Sequence, residues 1–316
     1  MRKVLVVYFS QTGQLRRIAE SVAAPLARAD DISLRWLSLK PTKPYPFPWP
    51  FFAFFDQFPE AVYLDPPALE PLGLLEGEHF DLVILAYTVW YLSPSPPITA
   101  FLKSPEGRRV LAGTPVVTLI GCRNMWLQAQ ELTKELLTDA GARLIDNIVL
   151  TDRGSAMKTL VTTPHWMFTG RREAFWGGFF PRAGITEEDI AGASRFGRAI
   201  LTAMRAGLPS ADRPIVTGLR AATVDQRLIA SEEIGRRSFM LWGRLLRRCG
   251  RQGDAARKPI IVLWACVLFL LIITVVPVTM ALRSLLKPIR KNSIQRQRDY
   301  FERPSGSADF RMGEFS

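Results

Sequence analysis

The residues best suited to chemistry lie near the start of the chain. Ser10-Gln11-Thr12-Gly13-Gln14 separates a β-branched apolar run from an amphipathic stretch. Hydroxyls at Ser10 and Thr12, with backbone N–H groups up to a helix start, suit a terminal phosphate, and Gly13 lets the backbone come close. The loop has neither the lysine of a Walker loop nor the three-glycine spacing of a dinucleotide loop. His165, in Thr163-Pro164-His165-Trp166, could accept a proton near neutral pH, although a lone histidine among aromatics is more often a packing residue. Cys122 has no Cys-His-Asn set around it and reads as a small buried thiol. Three cysteines far apart and two histidines exclude a disulfide framework and a multi-histidine metal cage.

The elements that must position these residues alternate in type. Lys3–Phe9, Ile32–Leu39, Phe80–Ala86, Pro115–Gly121 and Leu144–Thr151 read as strands, the first of the kind a parallel sheet buries on both faces. Helices fit at Leu15–Arg28, Ile98–Leu102, Trp126–Ala140 and Thr186–Ala206. Five strands with right-handed crossovers make an α/β, doubly wound sheet. Its ligand site lies beyond the strands' carboxyl ends at the topological switch point, which is where Ser10–Gln14 falls.

With that placement the chain resembles the flavodoxin family, whose phosphate loop reads [ST]-x-T-G-x-[TS]. Leu15 departs from the pattern, standing where the family has a hydroxyl. The resemblance covers about residues 1–208 and implies FMN as cofactor, its phosphate held by Ser10, Gln11, Thr12, Gly13, Gln14 and Leu15. It also implies flavin contacts from two further loops: Thr88, Val89, Trp90 and Tyr91 after the third strand, and Gly121, Cys122, Arg123, Asn124 and Trp126 after the fourth. Flat rings there would stack on the flavin and keep water from it. Arg123 could face the flavin's edge or the substrate's oxygens, or simply solvent. Tyr91 and Asp152 are further possible lining residues.

Two insertions, 41–78 and 153–184, leave carboxyl ends of strands and so overhang this place. The first holds Trp49, Phe51, Phe52, Phe54 and Phe55, the second Trp166. Such an apolar lid suits a hydrophobic, lipid-like substrate, against the plainer reading of an ordinary packed subdomain. The net charge of +12 is uneven: residues 1–207 hold 22 Lys/Arg against 20 Asp/Glu, residues 208–316 hold 19 against 9. This concentration in the tail argues against a nucleic-acid partner. Residues 209–258 read as a basic linker with an amphipathic helix for an anionic membrane surface. Pro259–Leu282 is 24 residues without a charge, long enough to cross a hydrocarbon core of roughly 30 Å as a transmembrane helix. Residues 283–316 are a basic polar tail. The expected location is the bacterial inner membrane with the flavin domain facing the cytoplasm.

SQTGQL, PFPWPFFAFFDQFPEAVYLDPP, LIGCRNMWLQAQ and the apolar C-terminal segment resemble bacterial proteins labelled dialkylresorcinol condensing enzyme. That resemblance implies a place in resorcinol or aryl-polyene lipid biosynthesis, with other enzymes of lipid synthesis as partners. Condensation wants an acylated cysteine, which is not evident, whereas an FMN site can dehydrogenate. The leading expectation is an FMN-dependent oxidoreductase that aromatises a dialkylcyclohexanedione, with His165 and Arg123 as candidate catalytic residues. A membrane-tethered quinone reductase, an electron carrier and a flavin-free scaffold remain open.

Overall fold

The computed structural model describes residues 1–207, 214–274 and 292–315. Five apolar segments form one parallel sheet: β1 (Arg2–Tyr8), β2 (Ile32–Ser38), β3 (Leu82–Tyr87), β4 (Pro115–Cys122) and β5 (Arg143–Thr151), in the order β2-β1-β3-β4-β5. Each pairing is parallel, with Val4 opposite Leu34 on one side and Leu82 on the other. This is the flavodoxin-like order, whose crevice opens where β1 and β3 part.

Alternation along the strands divides the core. Val4, Val6 and Ile84 face one layer, with α1 (Gln14–Ala27) and α9 (Ser194–Ala206), while Leu5, Val7 and Leu85 face α4 (Pro96–Lys103), α5 (Pro105–Leu111) and α6 (Leu127–Asp139). A side-chain period of two in a sheet covered on both faces requires apolar residues at nearly every position. The insertions bring α2 (Phe51–Asp56), α3 (Phe58–Val62) and α7 (Ala156–Thr169); α8 (Glu187–Gly192) leads into α9.

The C-terminal third departs most from expectation. The sheet domain does not end at 208. Val216, Leu219, Ala221 and Ala222 are buried in the sheet's two layers, and Val149 N–H donates to the Ala221 carbonyl at 2.7 Å. The tail returns too. Ser305 Oγ donates to Asp146 Oδ1 (2.8 Å) and accepts from Asn147 N–H (2.7 Å), while Ile215 N–H donates to Asp146 Oδ2 (2.6 Å). A carboxylate and a backbone amide buried in an apolar strand demand such partners.

α10 (Ile229–Arg248) is amphipathic, but part of its apolar face is already covered. Phe239 meets Phe58 and Tyr91, Leu246 is buried, and Tyr63 Oη donates to the Met240 carbonyl. α11 (Lys258–Ile273) has 16 residues, and Trp264 stacks on Phe58 at 4.0 Å between centroids. Arg257, fully buried, reaches Asp56 (3.0 Å) and Glu60 (2.9 Å) beneath it. Among the described residues no helix is long and apolar enough to cross a membrane. Within the described part of the expected span at 259–282, α11 has one face packed on protein. The last eight positions of that span, like part of the expected tail, lie outside the described residues.

Candidate functional site

The loop after β1 closes directly into α1. Gly13 takes φ 79°, a left-handed conformation that glycine adopts without steric cost, and a Cβ there would meet nothing within 4 Å. Gly13, at the N-cap, has no side chain to cap α1, and the helix's first turn carries no acid. Orphan N–H groups at the positive end of a helix dipole, beside a bare backbone, form an anion site. Ser10 Oγ accepts from Arg16 N–H at 3.3 Å. Arg17 pairs with Glu187, which Arg172 and Arg182 also approach at 3.9 and 3.4 Å. The surroundings are therefore cationic.

Three of the expected phosphate ligands have other duties. Gln11 donates to the Pro46 carbonyl (2.7 Å) and accepts from Trp49 Nε1 (3.0 Å). Gln14 donates to the Ile185 carbonyl (3.2 Å) and accepts from Ile185 N–H (3.3 Å). Each glutamine fastens one overhanging segment to the loop. Leu15 points into the core, where Gly121, lacking a Cβ, leaves room for it and Ile18. Position 15 therefore offers its amide alone.

The two insertions meet above this loop. Trp49 N–H donates to the Met167 carbonyl at 2.8 Å, and Phe47 lies edge-on to Trp166. Beside them, Trp90 is met by Tyr45 (5.0 Å), Trp49 (5.4 Å) and Phe9 (6.1 Å) in edge-to-face contacts. Trp90 Nε1 donates to Thr88 Oγ1, which fixes the ring's orientation. Burial pushes the Tyr45 phenol well above its ordinary pKa, so it stays a proton donor.

The loop after β4 has open polar valences. Asn124 Oδ1 is buried without a hydrogen-bond partner among the described residues. Arg123 touches Met125 Sδ and pairs with no carboxylate among the described residues, and burial lowers its pKa. Asp152 ties this loop down: its N–H donates to the Cys122 and Arg123 carbonyls, and its carboxylate accepts from Gly154 and Gly184 at 2.8 Å each. Cys122 is driven up by burial, which makes it a poor nucleophile.

Other expected site residues sit elsewhere. Trp126 is buried in the core at the head of α6 rather than beside Trp90. Val89 packs on the same cluster. Tyr91 turns away at φ 51°, donates to the Phe54 carbonyl and packs on Phe58 and Phe239. Phe54 and Phe55 belong to that third cluster, whereas Phe51 and Phe52 are exposed. His165 stacks on Phe175 at 4.5 Å, outside the Tyr45–Trp49–Trp90 group. That stacking is a packing contact. Among the described residues no group of three His, Cys, Asp or Glu could hold a metal ion.

Sequence reasoning missed Tyr45 and Gly184 as parts of the site, and Glu232 behind it. Glu232, fully buried on α10, accepts from Gln128 N–H at 2.9 Å and so caps α6; burial raises its carboxyl to about 7. Tyr45 had a signal in the alternation Pro44, Pro46, Pro48, Pro50, which excludes a helix and presents the intervening rings on an extended backbone. Glu232 had none, because its partner is the end of a helix 104 residues away.

No family model matches the sequence. No curated protein matches it. Solved structures do, over about half of the chain. A flavoprotein in complex with FMN from Lactobacillus acidophilus is 16% identical, covering 47% of this chain and 93% of its own, with a TM-score of 0.37. A putative flavoprotein from Bacteroides uniformis is 21% identical over 52% and 97%, with a TM-score of 0.36. A flavodoxin from the domain Archaea is 12% identical over 64% and 99%, also at 0.36. At such scores the likenesses carry no argument about function. The strand order carries the fold.

Proposed function

We propose that the chain is an FMN-dependent oxidoreductase acting on a long-chain, lipid-like substrate at a membrane surface. The observation that carries this reading is left-handed Gly13 directly before α1, with Ser10 beside the helix's first turn, at the switch point of a doubly wound sheet. The surrounding residues fit a phosphorylated flat heterocycle. The bare amides suit its phosphate, the unpartnered Asn124 Oδ1 and unpaired Arg123 suit a polar ring edge, and Trp90, Tyr45 and Trp49 exclude water. When bound, FMN supplies a two-electron acceptor.

The chain's own residues set what reaches that acceptor. Gln11 and Gln14 hold both insertions over the loop, an arrangement that favours an enclosed substrate over a carrier exchanging electrons at an exposed ring edge. In this reading Arg123, which pairs with no carboxylate among the described residues, stabilises negative charge on a substrate oxygen. The whole-chain resemblance makes a 2,5-dialkylcyclohexane-1,3-dione the first substrate to test. Its conversion to a resorcinol loses two hydrogens, one as a proton and one as a hydride, with FMN as the oxidant in a single turnover. Each alkyl methylene buried under the aromatic lid contributes roughly 0.8 kcal/mol.

The full chain, purified in detergent, is expected to carry FMN without a covalent link. Thr12→Glu should lose it through like-charge repulsion. Anaerobic mixing with a long-chain dione should bleach the flavin, and a short-chain analogue should bleach it less readily. FAD in place of FMN, or unchanged retention in Thr12→Glu, would refute the phosphate site. A flavin that no dione reduces would refute the substrate.

A further inference from the structure

We infer that the protein is monotopic: α2 and α11 enter one leaflet of an anionic membrane from the same side, and the chain does not pass through it. The inference rests on the membrane association proposed above and specifies its geometry. α11 leaves the body on which its own start is fixed, with Trp264 stacked on Phe58 and the buried Arg257 held by Asp56 and Glu60. Residues 292–315 lie on that same body. Ser305 bonds Asp146 and Asn147, Tyr300 Oη donates to Glu131, and Arg198 Nε donates to the Phe315 carbonyl at 2.9 Å. A crossing would put these residues beyond a hydrocarbon layer about 30 Å thick, away from the strand they satisfy. α11 itself, at 16 residues, is about 24 Å long.

The face α11 turns away from the protein is apolar. Leu263 and Leu270 are 54% and 61% exposed, with Val262 and Phe269 beside them in sequence on the same helix, and Phe51 and Phe52 are exposed on α2. The two helices are in contact through Phe55 and Trp264, and Lys258 Nζ stands 5.8 Å from the Phe52 ring. Charge selects the occupant. Arg244, Arg248, Arg251 and Lys258, at the end of α10 and the start of α11, are exposed and make no carboxylate pair among the described residues. Unpaired cations bordering an apolar face match an anionic headgroup layer above acyl chains. A soluble protein partner would need acidic groups around an apolar groove and would leave the protein in the supernatant of a membrane preparation.

Two measurements on the full chain test this. In co-sedimentation, vesicles with 30% phosphatidylserine should bind it and pure phosphatidylcholine vesicles should bind it at least tenfold less. Phe52→Ser with Leu263→Ser should reduce binding about tenfold or more. Arg244→Glu with Arg248→Glu, which leaves the packed face intact, should remove the preference for the anionic lipid. In sealed membrane vesicles, exposed cysteines placed by Glu76→Cys and by Ala308→Cys, in a chain with Cys249→Ser and Cys266→Ser, should react alike with a membrane-impermeant maleimide. Labelling of one and protection of the other would show a crossing and overturn the inference while leaving membrane association standing. Failure to bind either vesicle would overturn both.

Discussion

The two insertions are similarly rich in aromatic residues and meet different fates. Several rings of the first are buried, Phe58 fully and Phe55 and Trp49 nearly so, with α10 and α11 closing over Phe55 and Phe58, while Phe51 and Phe52 stay exposed. The tip of the second turns outward, where Phe175 and Phe180 pair across a narrow hairpin and leave Trp176 78% exposed and Phe179 61% exposed. The difference lies in what stands behind each. Arg257 sends a guanidinium between Asp56 and Glu60 and ties the first insertion to the start of α11. Behind the second there is chiefly Arg172 over Trp166 and a cation near Phe179. Aromatic density implies that rings gather; the element able to roof them comes from elsewhere in the chain.

The comparison breaks most directly at Arg257. Arg257→Met strands the buried Asp56 carboxylate and the partly buried Glu60, and the expected cost is about 3–5 kcal/mol, read from urea midpoints. The loss should shrink in acid. Burial raises the Glu60 carboxyl even beside its cation, and without the cation it protonates more readily still. A deficit that is unchanged at low pH would refute the ion-pair account. Phe58→Ala removes the ring under Trp264 and should cost about 3–5 kcal/mol, with detachment of α11 visible as a change in tryptophan fluorescence.

A smaller effect tests the support behind α3. Glu232 has a folded-state carboxyl at about 7 against an ordinary 4.5. Its contribution is therefore full below pH 4.5, declines as pH rises from 4.5 to 7, and is flat above. The decline is on the order of 3 kcal/mol. Glu232→Gln keeps an acceptor for the Gln128 amide and should flatten stability across that window. Asp146, raised to about 6 by burial, leaves part of the slope. An identical slope in the variant would sink the assignment. The smallest effect belongs to the second insertion, where Trp176→Ser should change stability by no more than about 0.5 kcal/mol. If it costs as much as Phe58→Ala, the exposed hairpin has a partner fold of its own.

These residues also mark what the sequence made legible. The sheet was readable because double-sided burial forces runs such as Val4–Val7 and Leu82–Tyr87, and the phosphate loop because Gly13 stands directly between strand and helix. Placement within the site was less readable. Gln11 and Gln14 sit in the loop yet bond outward, and Trp126 sits at a strand end yet packs inward, because a ring or amide satisfies whichever neighbour the fold supplies. The returning tail was hidden in another way. Ser305 is one hydroxyl in a polar stretch, and its counterpart is Asp146-Asn147, a polar pair inside an apolar strand. That pair announced a missing partner without naming it.

The distance between those partners has a consequence for how the protein is made. Asp146 and Ser305 are 159 residues apart, roughly 8–30 s of synthesis at about 5–20 residues per second. The Ile215 and Val216 amides can reach the Asp146 carboxylate earlier, 69 and 70 residues on, but the Asn147 amide waits for Ser305. The apolar helix at 258–273 leaves the ribosome before the residue that closes the strand. A nascent chain therefore completes the bonds of β5 only after Arg257 has become available to tie α11 to the body.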